Sequence, residues 1–244
     1  MPPPTGLSLV VPLYRDASTV EPLVQDAIES LAPLGLPYEI VLVDDGSPDD
    51  SGARARDAAA RFAVVRALAH ERNRGLAAAL STGILAARHS HVLYTDGDHS
   101  YPLSDAPRFV AALGSADVVV GIRPPGSRPW TRRVLTSLWS IAMRACFELA
   151  LQDVNCSFKL FPRSVLDGRP LDSSHGFADA EILLRARERG LRLGEIPVTL
   201  RTGPSRPSNF LKPRLMAATA REAVVAWRER SRSRVGHPAA SRDS

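Results

Sequence analysis

Two carboxylates separated by one glycine, Asp96-Gly97-Asp98, and an acidic pair, Asp44-Asp45, are the residues of this 244-residue chain best placed to do chemistry. Carboxylates so spaced can face one divalent cation while the glycine lets the backbone pass close to a phosphate. Mg²⁺ or Mn²⁺ held this way keeps positions open for diphosphate oxygens. A solvated acidic turn after a strand has the same appearance. Arg123, Arg128, Arg132 and Arg133 crowd one short stretch, and guanidinium forks match phosphate oxygens in pairs. Solubilising surface arginines look alike in sequence. Lys159 and Arg201 are further candidates, with Lys159 alternatively snorkelling from a strand. Asp153, Asp179 and Glu181 are the remaining acids. A hydroxyl acceptor would need one of them as general base, whereas a phosphate monoester is already anionic and needs orientation and desolvation. Glu181, opening a helix, would also complement the helix dipole.

These side chains can act together only if the elements before them end side by side. Residues 7–11, 39–43, 64–68, 91–95, 117–121, 158–161 and 191–200 are short apolar runs of strand type, and Pro197 suggests an edge or bend in the last. Between them, helical spacing recurs from residue 18 to 31, where Ser18-Thr19-Val20-Glu21 suggests a capping box, and over 50–61, 75–88, 104–113, 134–151 and 179–189. In the 134–151 helix, Ser137, Ser140, Arg144 and Glu148 share a polar face, and Leu135, Leu138, Ile141, Ala142, Ala145 and Leu149 cover the rest. A last helix, 213–230, repeats Arg214, Arg221 and Arg228 near one face, and residues 231–244 are polar and expected to be disordered. Alternating strands and helices imply an α/β domain with a mostly parallel sheet and helices on both faces. In such sheets ligands sit beyond the carboxyl ends of the strands, where Asp44-Asp45 and Asp96-Gly97-Asp98 fall.

Composition sets the bounds. With 44% hydrophobic and 23% charged residues the chain suits one globular domain. A net charge of +5 is compatible with anionic substrates, a membrane surface or nucleic acid. Cys146 and Cys156 have no CxxC spacing and are expected to be reduced and buried. Residues 1–6 lack the basic and apolar regions of a secretory signal, so a cytoplasmic location is expected. The 134–151 segment carries Arg144 and Glu148 and falls short of a membrane span of roughly 20 apolar residues, so any membrane contact is expected to be peripheral.

Four blocks in order resemble family 2 glycosyltransferases: Val11-Pro12-Leu13-Tyr14-Arg15-Asp16; Val43-Asp44-Asp45-Gly46-Ser47; Asn73-Arg74-Gly75 with Ala79 and Gly83; and Asp96-Gly97-Asp98. Residues 153–161, Glu181, and Glu195-Ile196-Pro197-Val198 with Arg201 resemble the dolichyl- or polyprenyl-phosphate sugar synthase branch, exemplified by dolichyl-phosphate mannosyltransferases. The resemblance implies a GT-A fold, Rossmann-like, over residues 7–210, flanked by a 1–6 extension, a 211–230 helix and a 231–244 tail. It implies inverting transfer of a sugar from a GDP- or UDP-sugar to a polyprenyl phosphate. Pro12, Tyr14, Asp16, Asp44, Asp45, Arg74 and Arg201 would bind the donor, and Asp96 and Asp98 its diphosphate and metal. Asp98, Arg123, Arg128, Asp153 and Glu181 would serve catalysis. The family often has Glu where this chain has Asp16, and Gln where it has Ser100; Ser100 still offers a neutral oxygen to the metal, and His99 is a further possible ligand. A peripheral membrane contact or a membrane-protein partner is implied, and nucleic acid is not. Transfer to a sugar hydroxyl in polysaccharide or glycolipid assembly, with Asp179 or Glu181 as base, is the alternative. A phosphatase using the Asp-x-Asp motif and a non-catalytic nucleotide-sugar binder are more distant ones.

Overall fold

The structure, a computed structural model, describes residues 4–124, 130–173, 176–201 and 213–235. In chain order it comprises β1 (Leu7–Leu13), α1 (Val20–Leu31), β2 (Tyr38–Asp44), α2 (Ser51–Arg61), β3 (Val65–Ala69), α3 (Leu76–Ala86), β4 (His91–Tyr94), α4 (Ala106–Ala112), β5 (Val118–Ile122), α5 (Trp130–Phe147), β6 (Lys159–Pro162), α6 (Ala178–Glu188), β7 (Leu193–Pro197) and α7 (Pro213–Val235). One seven-stranded sheet has the order β3-β2-β1-β4-β6-β5-β7. All neighbouring strands are parallel except β6, which runs antiparallel to both β4 and β5. The mostly parallel sheet expected from sequence is therefore present, with one reversed strand that sequence periodicity does not reveal.

The chain builds outward from β1 to β3 and then returns to lay β4 on the other side of β1. This is a topological switch point, where the carboxyl ends of β1 and β4 diverge and leave a crevice. Every residue of β1 and β4 is buried, which explains why both read as unbroken apolar runs rather than alternating ones. Helices cover both faces. An added Cβ on Gly83 of α3 would clash with Val10 and Val43, and one on Gly52 of α2 would meet the Asp44 carboxylate. Val43 and Asp44 are successive strand residues and point to opposite faces, so α3 and α2 lie on opposite faces.

Several local expectations change. β1 continues through Pro12, where the sequence suggested a stop. The Val10 carbonyl accepts from Thr95 N and the Leu13 carbonyl from Asp45 N, so even-numbered backbone groups of β1 face β4. β4 pairs only as far as Val10↔Tyr94, so the donor that Pro12 lacks would point past the end of that strand. The capping box at α1 does not form: the Thr19 hydroxyl turns its one proton to the carbonyls of Gly97 (2.6 Å) and Asp16 (2.9 Å), which share it, and Glu21 pairs with Arg61. In α5 the core side is Met143 and Phe147 with Trp139 half-buried, one helical stripe four residues apart, while Leu138 and Ile141 face outward. Cys146 is on that outer side too and is exposed, contrary to expectation; Cys156 is buried, and both are free thiols. β7 ends at Pro197 at the sheet edge, as its proline suggests. α7 runs to Val235, past Arg230, because no Gly or Pro interrupts it before Gly236; residues 236–244 lie outside the described residues.

Candidate active site

Asp96-Gly97-Asp98 follows β4 and folds back onto the end of β1. A Cβ on Gly97 would lie 2.7 Å from Leu13 Cδ2 and from the Pro12 carbonyl oxygen, and 2.8 Å from Asp16 Oδ2, so only glycine fits. The Tyr94 hydroxyl donates to Asp96 Oδ1 at 3.1 Å. Burial, then the neighbouring charge of Asp98, pushes the Asp96 carboxyl up to about 7; Asp179 adds to the effect and Ser157 hydrogen-bonding opposes it. Asp98 Oδ1 accepts the Ser100 N–H at 2.9 Å. A buried carboxyl whose charge is disfavoured by a neighbouring carboxylate makes a site that a hard cation would relieve. Among the described residues no group of three or more His, Cys, Asp or Glu forms a ready-made metal cluster. A divalent cation here would draw on Asp96 and Asp98, with Ser100 beside them, and leave positions for ligand oxygens, so the donor set fits Mg²⁺ or Mn²⁺. The Nε2 of His99 is engaged elsewhere, 2.8 Å from Asp26 Oδ2 on α1.

On the β1 and β2 side, the Tyr14 N–H donates to Asp16 Oδ2 at 2.8 Å, and the Asp16 N–H to Ser51 Oγ at 2.7 Å. Asp16 is buried against the Gly97 turn, Pro12 is buried, and Tyr14 is 37% exposed with Arg15 over its ring. Asp44 Oδ1 accepts the Ser47 N–H at 3.2 Å. Asp45 has a different task. It accepts His70 Nδ1 (2.7 Å), Arg74 N (2.9 Å) and Gly75 N (2.8 Å), drawing the segment before α3 to the end of β2. His70 extends this link to α3, its Nε2 lying 2.9 Å from the Thr82 hydroxyl. Sequence reasoning passed over His70, which has no motif around it. The Arg74 side chain is exposed beside this anchored turn.

The acceptor-side candidates assemble in pairs. Arg123 forms a fork-to-fork bridge with Asp153, Nε to Oδ2 at 2.7 Å and Nη2 to Oδ1 at 2.6 Å. Glu195 Oε1 accepts the Gln152 and Asp153 N–H groups at 2.8 and 3.1 Å, which holds Asp153 in place. Lys159 neither snorkels nor reaches solvent. It is fully buried on β6, bonded to Asp179 and the Cys156 carbonyl, with its ammonium 5.8 Å from the Tyr94 ring centroid. Asp179 thereby lies close enough for its charge to act on both Tyr94 and Asp96. Glu181, two positions on and so across the helix, turns away. It accepts the Asp172 and Ser173 N–H groups at 2.8 and 2.9 Å and pairs with Arg185 at 2.7 Å. These partners give Glu181 a structural task. Arg201 bonds Asp26 through Nη2 at 2.7 Å, and its N–H donates to the Ser100 carbonyl at 2.9 Å. Arg128, and the side chains of Arg132, Arg133 and Arg214, lie outside the described residues.

The family model "Glycosyl transferase family 2" matches residues 8–169. The chain is 33% identical over 164 residues to an undecaprenyl-phosphate 4-deoxy-4-formamido-L-arabinose transferase of Pseudomonas fluorescens, covering 66% of this chain and 48% of that protein. It is 29% identical over 203 residues to glycosyltransferase AglD of Haloferax volcanii, covering 79% of this chain and 32% of that protein. The chain thus spans about half or less of the length of these curated relatives. Among solved structures, mannosyl-3-phosphoglycerate synthase from Rubrobacter xylanophilus superposes with a TM-score of 0.73 at 15% identity, over 93% of this chain and 76% of that one. Glucosyl-3-phosphoglycerate synthase from Mycobacterium tuberculosis, solved with Mn²⁺, uridine diphosphate and glucosyl-3-phosphoglycerate, has a TM-score of 0.67 at 20% identity, over 97% and 82%.

Proposed function

The chain belongs to glycosyl transferase family 2, and on that premise we propose that it transfers a sugar, with inversion, from a nucleoside-diphosphate donor to a polyprenyl phosphate. Its fold is of the GT-A type. The observation that carries the proposal is the seating of Asp96-Gly97-Asp98 at the β1/β4 switch point, against Pro12 and Asp16. Asp96 and Asp98, with Ser100, would hold Mg²⁺ or Mn²⁺, which when bound supplies charge neutralisation for the departing diphosphate. Pro12, Tyr14, Asp16 and Asp44 line the nucleoside side, and Asp45 shapes it by anchoring the Arg74 turn. The solved Mycobacterium tuberculosis synthase holds Mn²⁺ and uridine diphosphate together, which supports a UDP-sugar as the first donor to try, with GDP-sugars next.

The acceptor class is supported by the undecaprenyl-phosphate transferase among the relatives. A phosphate oxygen needs no general base; it needs a cationic group of fixed orientation. Arg123, pinned by Asp153, is suited to that, with Arg128 as its sequence neighbour. As the phosphate oxygen forms its bond to the anomeric carbon, the bond from that carbon to the diphosphate oxygen breaks on the opposite face, and the nucleoside diphosphate leaves. The second reading, a sugar hydroxyl acceptor with Asp179 as base, is favoured by the nearness of Asp179 to Asp96 and opposed by the occupation of its carboxylate by Lys159.

The test is a panel of radiolabelled UDP- and GDP-sugars with undecaprenyl phosphate, with Mn²⁺ or with EDTA. Metal-dependent label in the lipid-phosphate fraction is expected, and Asp98→Ala should abolish it with the thermal midpoint unchanged. Full activity of Asp98→Ala overturns the proposal, and label appearing only in a glycan or glycolipid fraction turns it to the second reading.

A further inference from the structure

Asp26 lies in the middle of α1, outside every motif, yet one of its oxygens collects three parts of the chain. Oδ2 is 2.8 Å from His99 Nε2, 2.9 Å from Leu103 N and 2.7 Å from Arg201 Nη2. Oδ1 accepts from the Ser30 hydroxyl at 3.2 Å on the same helix. His99 follows Asp98 directly and has φ +55°, a left-handed backbone that a non-glycine residue keeps only when its surroundings hold it. Arg201 closes the arrangement a second time, through its N–H on the Ser100 carbonyl. The segment from Asp98 to Leu103, which starts at one carboxylate of the cation site, is thus clamped on one side to α1 and on the other to the end of the β7 segment. Burial disfavours ionisation of Asp26, but the His99, Leu103 and Arg201 hydrogen bonds outweigh it and hold the carboxyl well below its ordinary range. Asp26 is charged at neutral pH and offers the clamp a full negative charge.

We propose that Asp26 is a positioning residue for the cation–diphosphate site: through His99, Leu103 and Arg201 it sets the turn that presents Asp98 and Ser100. The inference rests on the transferase reading given above and adds to it a residue that touches neither donor nor cation. If Asp26 only stabilised α1, its loss would lower stability and leave cation binding per folded molecule unchanged. If it positions the turn, its loss weakens cation binding first, because the two carboxylates no longer meet the ion in one fixed geometry.

The experiment uses the full chain and Mn²⁺ alone as probe, titrated by electron paramagnetic resonance of the free ion, alongside donor kinetics and thermal unfolding. Asp26→Asn should weaken Mn²⁺ binding about 10- to 100-fold, the range seen when a group that orients a metal ligand is lost, and raise the donor KM more than it lowers kcat. Asp26→Glu should recover part of the loss. Arg201→Gln, at a half-exposed position where folding is not at stake, should shift Mn²⁺ binding in the same direction by less, and Glu29→Gln on the same helix should leave it unchanged. Wild-type Mn²⁺ binding in both Asp26→Asn and Arg201→Gln, beside lost binding in Asp98→Ala, overturns this inference alone. Equal Mn²⁺ binding by the wild type and Asp98→Ala overturns the transferase reading, and this inference with it.

Discussion

At the scale of single residues, the site depends on a glycine and on carboxylates with dissimilar surroundings. Gly97 has backbone on one side that cannot yield, the Pro12 carbonyl at 2.7 Å from any added Cβ. Gly97→Ala is therefore expected to cost about 1–3 kcal/mol of stability, as overpacked sites do, and to depress transfer beyond that loss; denaturant titration and the lipid-label assay measure the two separately. Glu39 shows the opposite kind of carboxylate, far from the crevice. Burial raises its pKa, but hydrogen bonds from Arg66, the Arg88 N–H and Ser8 outweigh that and lower it. The sign follows from proton counts: below the unfolded carboxylate value of about 4.3 the unfolded chain binds the proton first, so stability falls as pH falls through that region. Glu39→Gln should flatten the acid limb of a melting-temperature profile between neutral pH and pH 3 relative to wild type, and an unchanged slope would show that the Glu39 cluster does not contribute.

At the scale of elements, the reversed strand β6 is what joins the acceptor side to the cation side. It inserts between β4 and β5, placing Lys159 opposite Tyr94, and α6 brings Asp179 to it. Removing one member of such a buried pair leaves an uncompensated charge. Lys159→Met is expected to cost about 3–5 kcal/mol, and Lys159→Met combined with Asp179→Leu should recover much of it. Chemical denaturation of the four forms closes the cycle; a single mutant as stable as wild type would mean that the pair carries no stability. If transfer survives in the double mutant, Asp179 is not a base, which bears on the choice between phosphate and hydroxyl acceptors.

For the whole molecule, the question is where a lipid acceptor would approach. Among the described residues no helix is long and apolar enough to cross a membrane. Leu138 and Ile141 of α5 are nevertheless 57% and 61% exposed, and Val224, Val225 and Trp227 of α7 are exposed as well. Both helices pack against the start of α6, through Trp139 on Phe177 and Thr219 on the Gly176 N–H. Apolar side chains on such helices, with Arg144, Arg221 and Arg228 exposed on them, suit a surface of anionic lipid. We expect the chain to co-sediment with vesicles containing phosphatidylglycerol, to be released by high salt, and to lose binding on joint Leu138→Asp and Ile141→Asp substitution. Equal partition of the variant and the wild type would rule these positions out as the contact.

The alternation of strand and helix, the carboxylates at the ends of β2 and β4, and the family resemblance were all legible in the sequence. Each is written in a window of a few residues, where burial on both faces, helical period or a glycine between two acids leaves its own trace. The partnerships were not. Arg123 and Asp153 stand 30 residues apart, Lys159 and Asp179 20, His99 and Asp26 73, and Arg201 and Asp26 175. Sequence could nominate the charged groups. It could not show which of them neutralise one another, because that depends on distances set only when β6 reverses and α1 folds back over the turn after β4. For the same reason Lys159, read as a phosphate ligand or a snorkelling side chain, is instead buried against Asp179, and Asp26, which no motif marks, collects His99, Leu103 and Arg201.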